Sequence, residues 1–398
     1  MSALVTPGNL RSSLAVTRSL GRRGVAVTVA DERLRSLAGA SRYCRTVVQV
    51  PSPARAGDAF VRAIKHEVER AKHRVVIPTD DVTLSLLSEA RSQFEGLAVL
   101  PFPGAEIVQM AHDKGALMSL AEEQGIPIPK TVVVRERADL ERAIRHVGLP
   151  AVVKARVSRL RVAGQWRSGG GTHYVHTPAA LERACRAVSE AVPFPVVQEC
   201  IPGDGRGLFA LMNRGRLRAA FAHRRIREKP PSGGVSVLSE SVALDPKLLE
   251  DSERILEALK WHGVAMVEFK HDARDGISKL LEINGRFWGS LQLAVDAGVD
   301  FPALLYRQAV DGDVEPVFTY RLGARLRWWL GDVDWLLLRL RDKDGVRPRL
   351  GALREFLRPA GKAARSEVFR RDDPAPATVE LAHYLRDALR GAIGKVAR

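Results

Sequence analysis

The sequence predicts an α/β protein of several lobes with a helical tail. Three observations carry this. The first hundred residues alternate apolar runs and amphipathic stretches in the order strand, helix, strand, helix. Residues 263–269 and 277–283 are apolar runs on either side of a polar turn, HDARDG, and read as a hairpin in which Asp275-Gly276 suits a tight turn. From about residue 315 the pattern changes to apolar, arginine-rich segments of helical period.

Residues 3–6 predict a strand, Pro7-Gly8-Asn9 a turn and 10–20 a helix stopped by Gly21 and Gly24, with a second strand over 25–30. The GxGxxG spacing is missing, so Gly8 is read as packing. Arg11 begins a helix beyond a strand end, where it could meet an anion. A helix over 60–71, a buried strand over 75–78 and a helix over 82–90 follow. Asp80 and Asp81 stand between that strand and helix. They suit an N-cap, and equally the ligand position at the carboxyl end of an α/β sheet.

His112-Asp113-Lys114 opens a helix over 114–124, with Asp113 as a plausible cap. Strands are expected over 131–134 and 150–155, around a helix at 140–146. The second strand, PAVVKA, holds Lys154, which needs an anion or must reach out to solvent. Gly169, Gly170 and Gly171 give a loop with bare backbone N–H groups, able to fold over phosphates or to act as a linker. Residues 157–167, with three arginines, are expected to be mobile, and His173 and His176 lack a matching ligand set. Residues 194–202 predict a strand, and 208–212 with 217–223 a strand pair. The arginine-dense stretch from His223 to Ser241 reads as a basic exposed loop. Helices are expected over 246–260, 290–297, 301–310, 350–357 and 379–392, with a loop at 370–376. Asp332 and Asp334 interrupt the apolar run 322–340, which excludes a membrane span there. The tail's apolar face is left either to the core or to a membrane or partner protein.

The hairpin carries the chemistry. Alternation places Glu268 on one face of the first strand, and Glu282 with Asn284 on one face of the second. Pairing across the turn can bring the three together. Two carboxylates and an amide oxygen form a hard, oxygen-only donor set, the kind Mg²⁺ takes beside substrate phosphates. Arg286 follows two residues on. Acids inside VEF and LLEIN sit in otherwise apolar strands, where charged groups are rarely buried without a partner.

VEFK followed by LLEINGRFWGS resembles the metal-binding core of the ATP-grasp enzymes, above all the carbamoyl-phosphate-synthase-like carboxylate–amine ligases. The likeness covers roughly residues 1–312, with Gly285 where the family usually has Pro. It implies an ATP-grasp fold: a Rossmann-like pre-ATP-grasp domain (1–110), a lid and central subdomain (111–195), a C-terminal subdomain with the metal site (196–314) and a helical, basic appendage (315–398). It implies ATP with Mg²⁺ or Mn²⁺, the metal on Glu268, Glu282 and Asn284. The nucleotide is assigned to Lys114, Lys154, the loop Gly169, Gly170 and Gly171, and the hinge residues Gln198, Glu199 and Ile201, with Asp204 for the ribose. Arg225 and Arg227 are candidate anchors for a carboxylate or acyl phosphate, beside Arg286.

The implied reaction joins a small carboxylic acid to an amine through an acyl phosphate, releasing ADP and phosphate. One ATP-grasp half and no visible amidotransferase segment argue against carbamoyl phosphate synthesis. No Ser/His/Asp or Cys/His set stands out. Two other readings compete: a membrane-associated enzyme acting on a cell-envelope or lipid-linked precursor, and an inactive nucleic-acid-binding scaffold. The net charge of +16 favours the latter and the intact acids and lysines disfavour it. Three scattered cysteines and no signal-like segment lead to a cytoplasmic expectation, with peripheral placement at the inner membrane surface as the variant. A homodimer is left open.

Overall fold

The computed structural model describes residues 1–162, 165–231, 233–341, 346–358 and 364–396, with side chains described outside 346–348 and 390–396. The N-terminal region contains β1 (Ser2–Thr6), α1 (Arg11–Arg22), β2 (Ala26–Asp31), β3 (Thr46–Gln49), α2 (Gly57–Ala71), β4 (Val75–Pro78), α3 (Asp81–Glu89), α4 (Ala105–His112) and α5 (Lys114–Glu123). Its parallel sheet runs β3-β2-β1-β4. β4 is VVIP, buried at every position, as expected for a parallel strand covered on both faces. Asp80 settles the capping question by accepting from the Thr83 N–H at 2.8 Å, which leaves Asp81 for other work.

The second region contains β5 (Thr131–Val133), α6 (Arg137–His146), β6 (Ala151–Lys154), β7 (Arg159–Val162), β8 (Gln165–Ser168), β9 (His173–Val175), α7 (Pro178–Ala191) and β10 (Val196–Glu199). Its antiparallel sheet runs β5-β10-β6-β9, with α6 and α7 packed on Val153 and Val197. The hairpin of β7 and β8 covers the stretch expected to be mobile, of which residues 163 and 164 lie outside the described set. Arg161 ties this hairpin to the N-terminal region through Asp58 at 2.8 Å.

The third region contains β11 (Gly205–Asn213), β12 (Arg216–Lys229), β13 (Val235–Val242), α8 (Pro246–Ala258), β14 (Gly263–His271), β15 (Ser278–Asn284), α9 (Leu291–Ala297), α10 (Phe301–Asp311), β16 (Arg325–Arg327), α11 (Trp329–Arg341), α12 (Val346–Leu357), β17 (Ala364–Ser366) and α13 (Ala375–Val396). A seven-stranded sheet runs β15-β14-β11-β12-β13-β16-β17. Phe209, Phe221, Trp288 and Phe301 form its aromatic core, shared with α1 and the N-terminal strands.

Three expectations change. β10 pairs with β5 and β6, so a boundary between residues 195 and 196 cuts it from its own sheet. The stretch 223–241 belongs to β12 and β13, which pair antiparallel. Its charges are satisfied across strands: Arg224 donates to Glu240 at 2.7 Å and Arg325 to the same carboxylate at 2.8 Å. Cross-strand ion pairs stabilise a sheet without leaving an apolar alternation to read. The tail keeps its helices but is more than an appendage, because β16 and β17 extend the central sheet. It also grips the first domain. Arg18 of α1, 1% exposed, donates to the Asp373 carboxylate at 2.8 Å and to the carbonyls of Glu367, Val368 and Asp373.

Candidate functional site

A cleft of about 1050 Å³ opens between the four-stranded antiparallel sheet and the central sheet. Its floor is the β14–β15 hairpin. Backbone pairing sets Glu268 opposite Glu282 and Met266 opposite Asn284. Asn284 bridges the acids, its Nδ2 donating to Glu268 at 3.1 Å and to Glu282 at 3.3 Å. Alternation along the two strands therefore brings the three predicted residues together, with the amide presenting its Nδ2 to the acids while its Oδ1 accepts from Arg286. Among the described residues no cluster of three His, Cys, Asp or Glu side chains is placed to hold a metal ion; here two carboxylates face each other with one amide between them.

Cations surround the two acids. Lys114, at the start of α5, lies 3.6 Å from Glu282 and donates to Ser158 Oγ at 3.2 Å. Lys154 ends β6 and donates to Gln198 Oε1 at 3.2 Å. Arg225 on β12 bonds Glu268 at 2.9 Å and Glu228 at 3.0 Å. Arg286 donates to Asn284 Oδ1 at 3.1 Å. Its Nε lies 3.2 Å from Asp81, whose other neighbour is His112 at 3.7 Å. Asp81 thus belongs to the site, a role that the sequence left balanced against capping.

The electrostatics follow from this packing. Burial pushes the Glu268 carboxyl above its usual range; Arg225 opposes this and the like charge of Glu282 adds to it. Burial would raise Glu282 too, but Lys114 and Lys154 hold it below the usual range. Burial lowers the Lys154 ammonium, with Glu282 the main opposing influence. Burial works against ionised Asp81, yet Arg286 and then His112 keep it below the ordinary value. Paired carboxylates, one resisting ionisation in part because of the other, suit a divalent cation.

Gly170 and Gly171 line the cleft wall, and so do Gln198, Glu199 and Ile201 at the end of β10. Gly170 has φ +78°, a backbone that favours glycine. Gly169 does not belong with them: a Cβ there would lie 2.3 Å from the Ala155 Cβ, so this glycine serves close packing. Glu199 sits on the wall with its carboxylate turned toward Arg274 and Lys279. Gly285 is explained by Trp261, whose ring carbons would lie 2.7 Å from an added Cβ. The indole fills the space that a bulkier residue would need.

Two further assignments find no support in their positions. Arg227 is 4% exposed and pairs with Asp332 of α11 at 2.8 Å, beyond a register shift in β12 that turns it from the cleft. Asp204 lines a second cavity, also of about 1050 Å³, with Arg227, Arg206, Arg224 and Arg358. The ribose role expected for Asp204 therefore has no support in its position. The sequence reading missed Ser158, which holds Lys114, and Thr131, which accepts from Gln198 at 3.1 Å. Neither carries a motif.

Comparison with known proteins gives these features a context. Residues 191–330 match the family described as "ATP-grasp in the biosynthetic pathway with Ter operon". The chain is 27% identical over 215 residues to the carbamoyl phosphate synthase large chain of Methanoculleus marisnigri, covering 51% of this chain and 19% of that one. It is 21% identical over 277 residues to the D-aspartate ligase of Enterococcus faecium, covering 66% of this chain and 65% of that one. It thus spans less than two thirds of either relative. The biotin carboxylase domain of Hydrogenobacter thermophilus 2-oxoglutarate carboxylase, solved with MgADP and bicarbonate, superposes with a TM-score of 0.65 at 14% identity, covering 81% of this chain and 73% of that one. That likeness establishes the fold.

Proposed function

We propose that this chain, which has the ATP-grasp fold, is an ATP- and Mg²⁺-dependent ligase, joining a small carboxylic acid to an amine through an acyl phosphate. The observation that carries the reading is the facing pair Glu268 and Glu282, bridged by Asn284 and ringed by Lys114, Lys154, Arg225 and Arg286. The relatives named D-aspartate ligase and carbamoyl phosphate synthase lend it weight.

The chemical obstacle is charge. A carboxylate must approach the γ-phosphate, and the two anions repel. Arg225 is placed to seat the acid's carboxylate; releasing Glu268 frees its guanidinium fork for that purpose. Asp81 holds Arg286 against the same floor, so its charge needs no reorganisation as the reaction proceeds. Lys114 and Lys154 line the cleft and would face the phosphates, with the N–H groups of Gly170 and Gly171 available to cover them. Glu268, Glu282 and Asn284 would hold the divalent cation, which neutralises phosphate oxygens when bound. The acid's oxygen bonds to the γ-phosphorus as ADP leaves. The amine nitrogen then bonds to the acyl carbon as phosphate leaves.

The test is turnover with pooled acids and amines. Release of ADP and phosphate that depends on Mg²⁺ and needs both partners supports the proposal. AMP and pyrophosphate would refute the acyl-phosphate route.

A further inference from the structure

We propose that the leucine faces of α12 and α13 form a docking surface for an anionic lipid bilayer. The inference is independent of the ligase reading.

A helix packed on a core needs one apolar face. α12 has two. Inward, Ala352 is buried and Phe356 packs with Trp335 and under the Arg327 guanidinium. Outward, Leu350, Leu353 and Leu357 are 61%, 40% and 67% exposed. Their spacing of three and four residues puts them on one stripe, on the far side from Ala352. α13 repeats the pattern. Inward, Glu380 accepts from the Trp328 indole at 2.7 Å and the Tyr384 hydroxyl donates to Asp334 at 2.7 Å. Outward, Leu381, Leu385 and Leu389 recur every fourth residue, all about half-exposed. Among the described residues these leucines stay largely in solvent. Three solvated leucines on each of two helices that pack on α11 exceed the scattered apolar exposure of an ordinary surface.

Charge selects the occupant. Arg354 and Arg358 flank the α12 stripe and are exposed. Arg358 also borders the arginine-rich second cavity beside Arg206 and Arg224, so the basic rim continues onto the sheet. The chain carries a net charge of +16. An apolar stripe with a basic rim fits the interface of an anionic bilayer, where the two signals reinforce each other. A second copy of the chain would bring the same arginines to the contact. No helix among the described residues is long and apolar enough to cross a membrane, so the contact lies in the plane of the surface.

The experiment is sedimentation of the full chain with vesicles of phosphatidylcholine alone or mixed with phosphatidylglycerol. Binding is expected to the mixed vesicles only, weakening as salt rises. L350Q/L353Q/L357Q should lose at least about tenfold in partitioning, and R354Q/R358Q about fivefold per arginine removed. These side chains are exposed, so melting temperature and ATP turnover should stay at the parent values, which separates lost docking from lost folding. No partitioning into mixed vesicles would overturn the proposal. So would partitioning unchanged in the leucine variant, or self-association through this face without vesicle binding.

Discussion

Glu282→Gln tests the centre of the site. The substitution keeps the side chain's volume and one oxygen and removes one of the two negative charges facing each other on β14 and β15. Glu282 lies 3.6 Å from Lys114, worth roughly 4–5 kcal/mol at an effective dielectric of about 20. Its side chain is 35% exposed, and screening cuts that to about half. Relief of repulsion with Glu268 offsets part of the remainder, so the melting temperature should fall by no more than a few degrees. Turnover should fall far more. Loss of one preorganised stabiliser costs about 10²–10³ in kcat, equivalent to about 3–4 kcal/mol, and loss of a metal-facing carboxylate at least as much. A second signature follows from Lys154. Glu282 is the main influence holding its proton on, so the variant should lose ATP affinity at lower pH than the parent. The assay is steady-state ADP release with titrated Mg²⁺, beside a thermal melt, with exposed Glu257→Gln on α8 as control. Near-parental turnover of Glu282→Gln at saturating Mg²⁺ would refute the metal site and the ligase reading with it.

Lys154→Ala should weaken ATP binding by tenfold or more in calorimetry while the protein stays folded; unchanged affinity would mean that Lys154 merely reaches past Gln198 to solvent. Asp81→Asn should lower kcat about tenfold with little change in the KM for ATP, because it loosens Arg286 without touching nucleotide; an equal effect on both constants would make Asp81 a general structural support. Asp373→Ala should cost about 3–5 kcal/mol in denaturant unfolding by leaving the buried Arg18 charge unpaired, and a change below 1 kcal/mol would contradict that account.

The sequence was most legible where one face of an element is buried. VVIP in β4 and the two runs of the β14–β15 hairpin were plain, because burial selects apolar residues and turns select Asp-Gly. The same alternation made Glu268, Glu282 and Asn284 legible as a set. Legibility failed where polar pairing replaces apolar pattern. The second half of β12 and most of β13 read as a loop because Arg224, Glu240 and Arg325 satisfy one another across strands, a relation between positions far apart in sequence. Arg227 failed for a local reason: a register shift in β12 breaks the alternation that would have kept it with Arg225. Asp81 could be assigned only once Asp80 was seen to take the cap and Arg286 to lie within reach.

The grip of the last segment on α1 bears on the order in which the protein is made. Arg18 emerges from the ribosome early, yet its partner Asp373 follows 355 residues later. At synthesis rates of roughly 5–20 residues per second, that delay is on the order of 20–70 s. Until it ends, the first domain holds a guanidinium at a position that becomes fully buried, and Ser41 and the Arg42 N–H lack their acceptor on the same carboxylate. The nascent N-terminal domain therefore waits, incompletely sealed, for the segment that carries Asp373. A product that holds every residue of the cleft but stops short of Asp373 would leave Arg18 without its carboxylate partner.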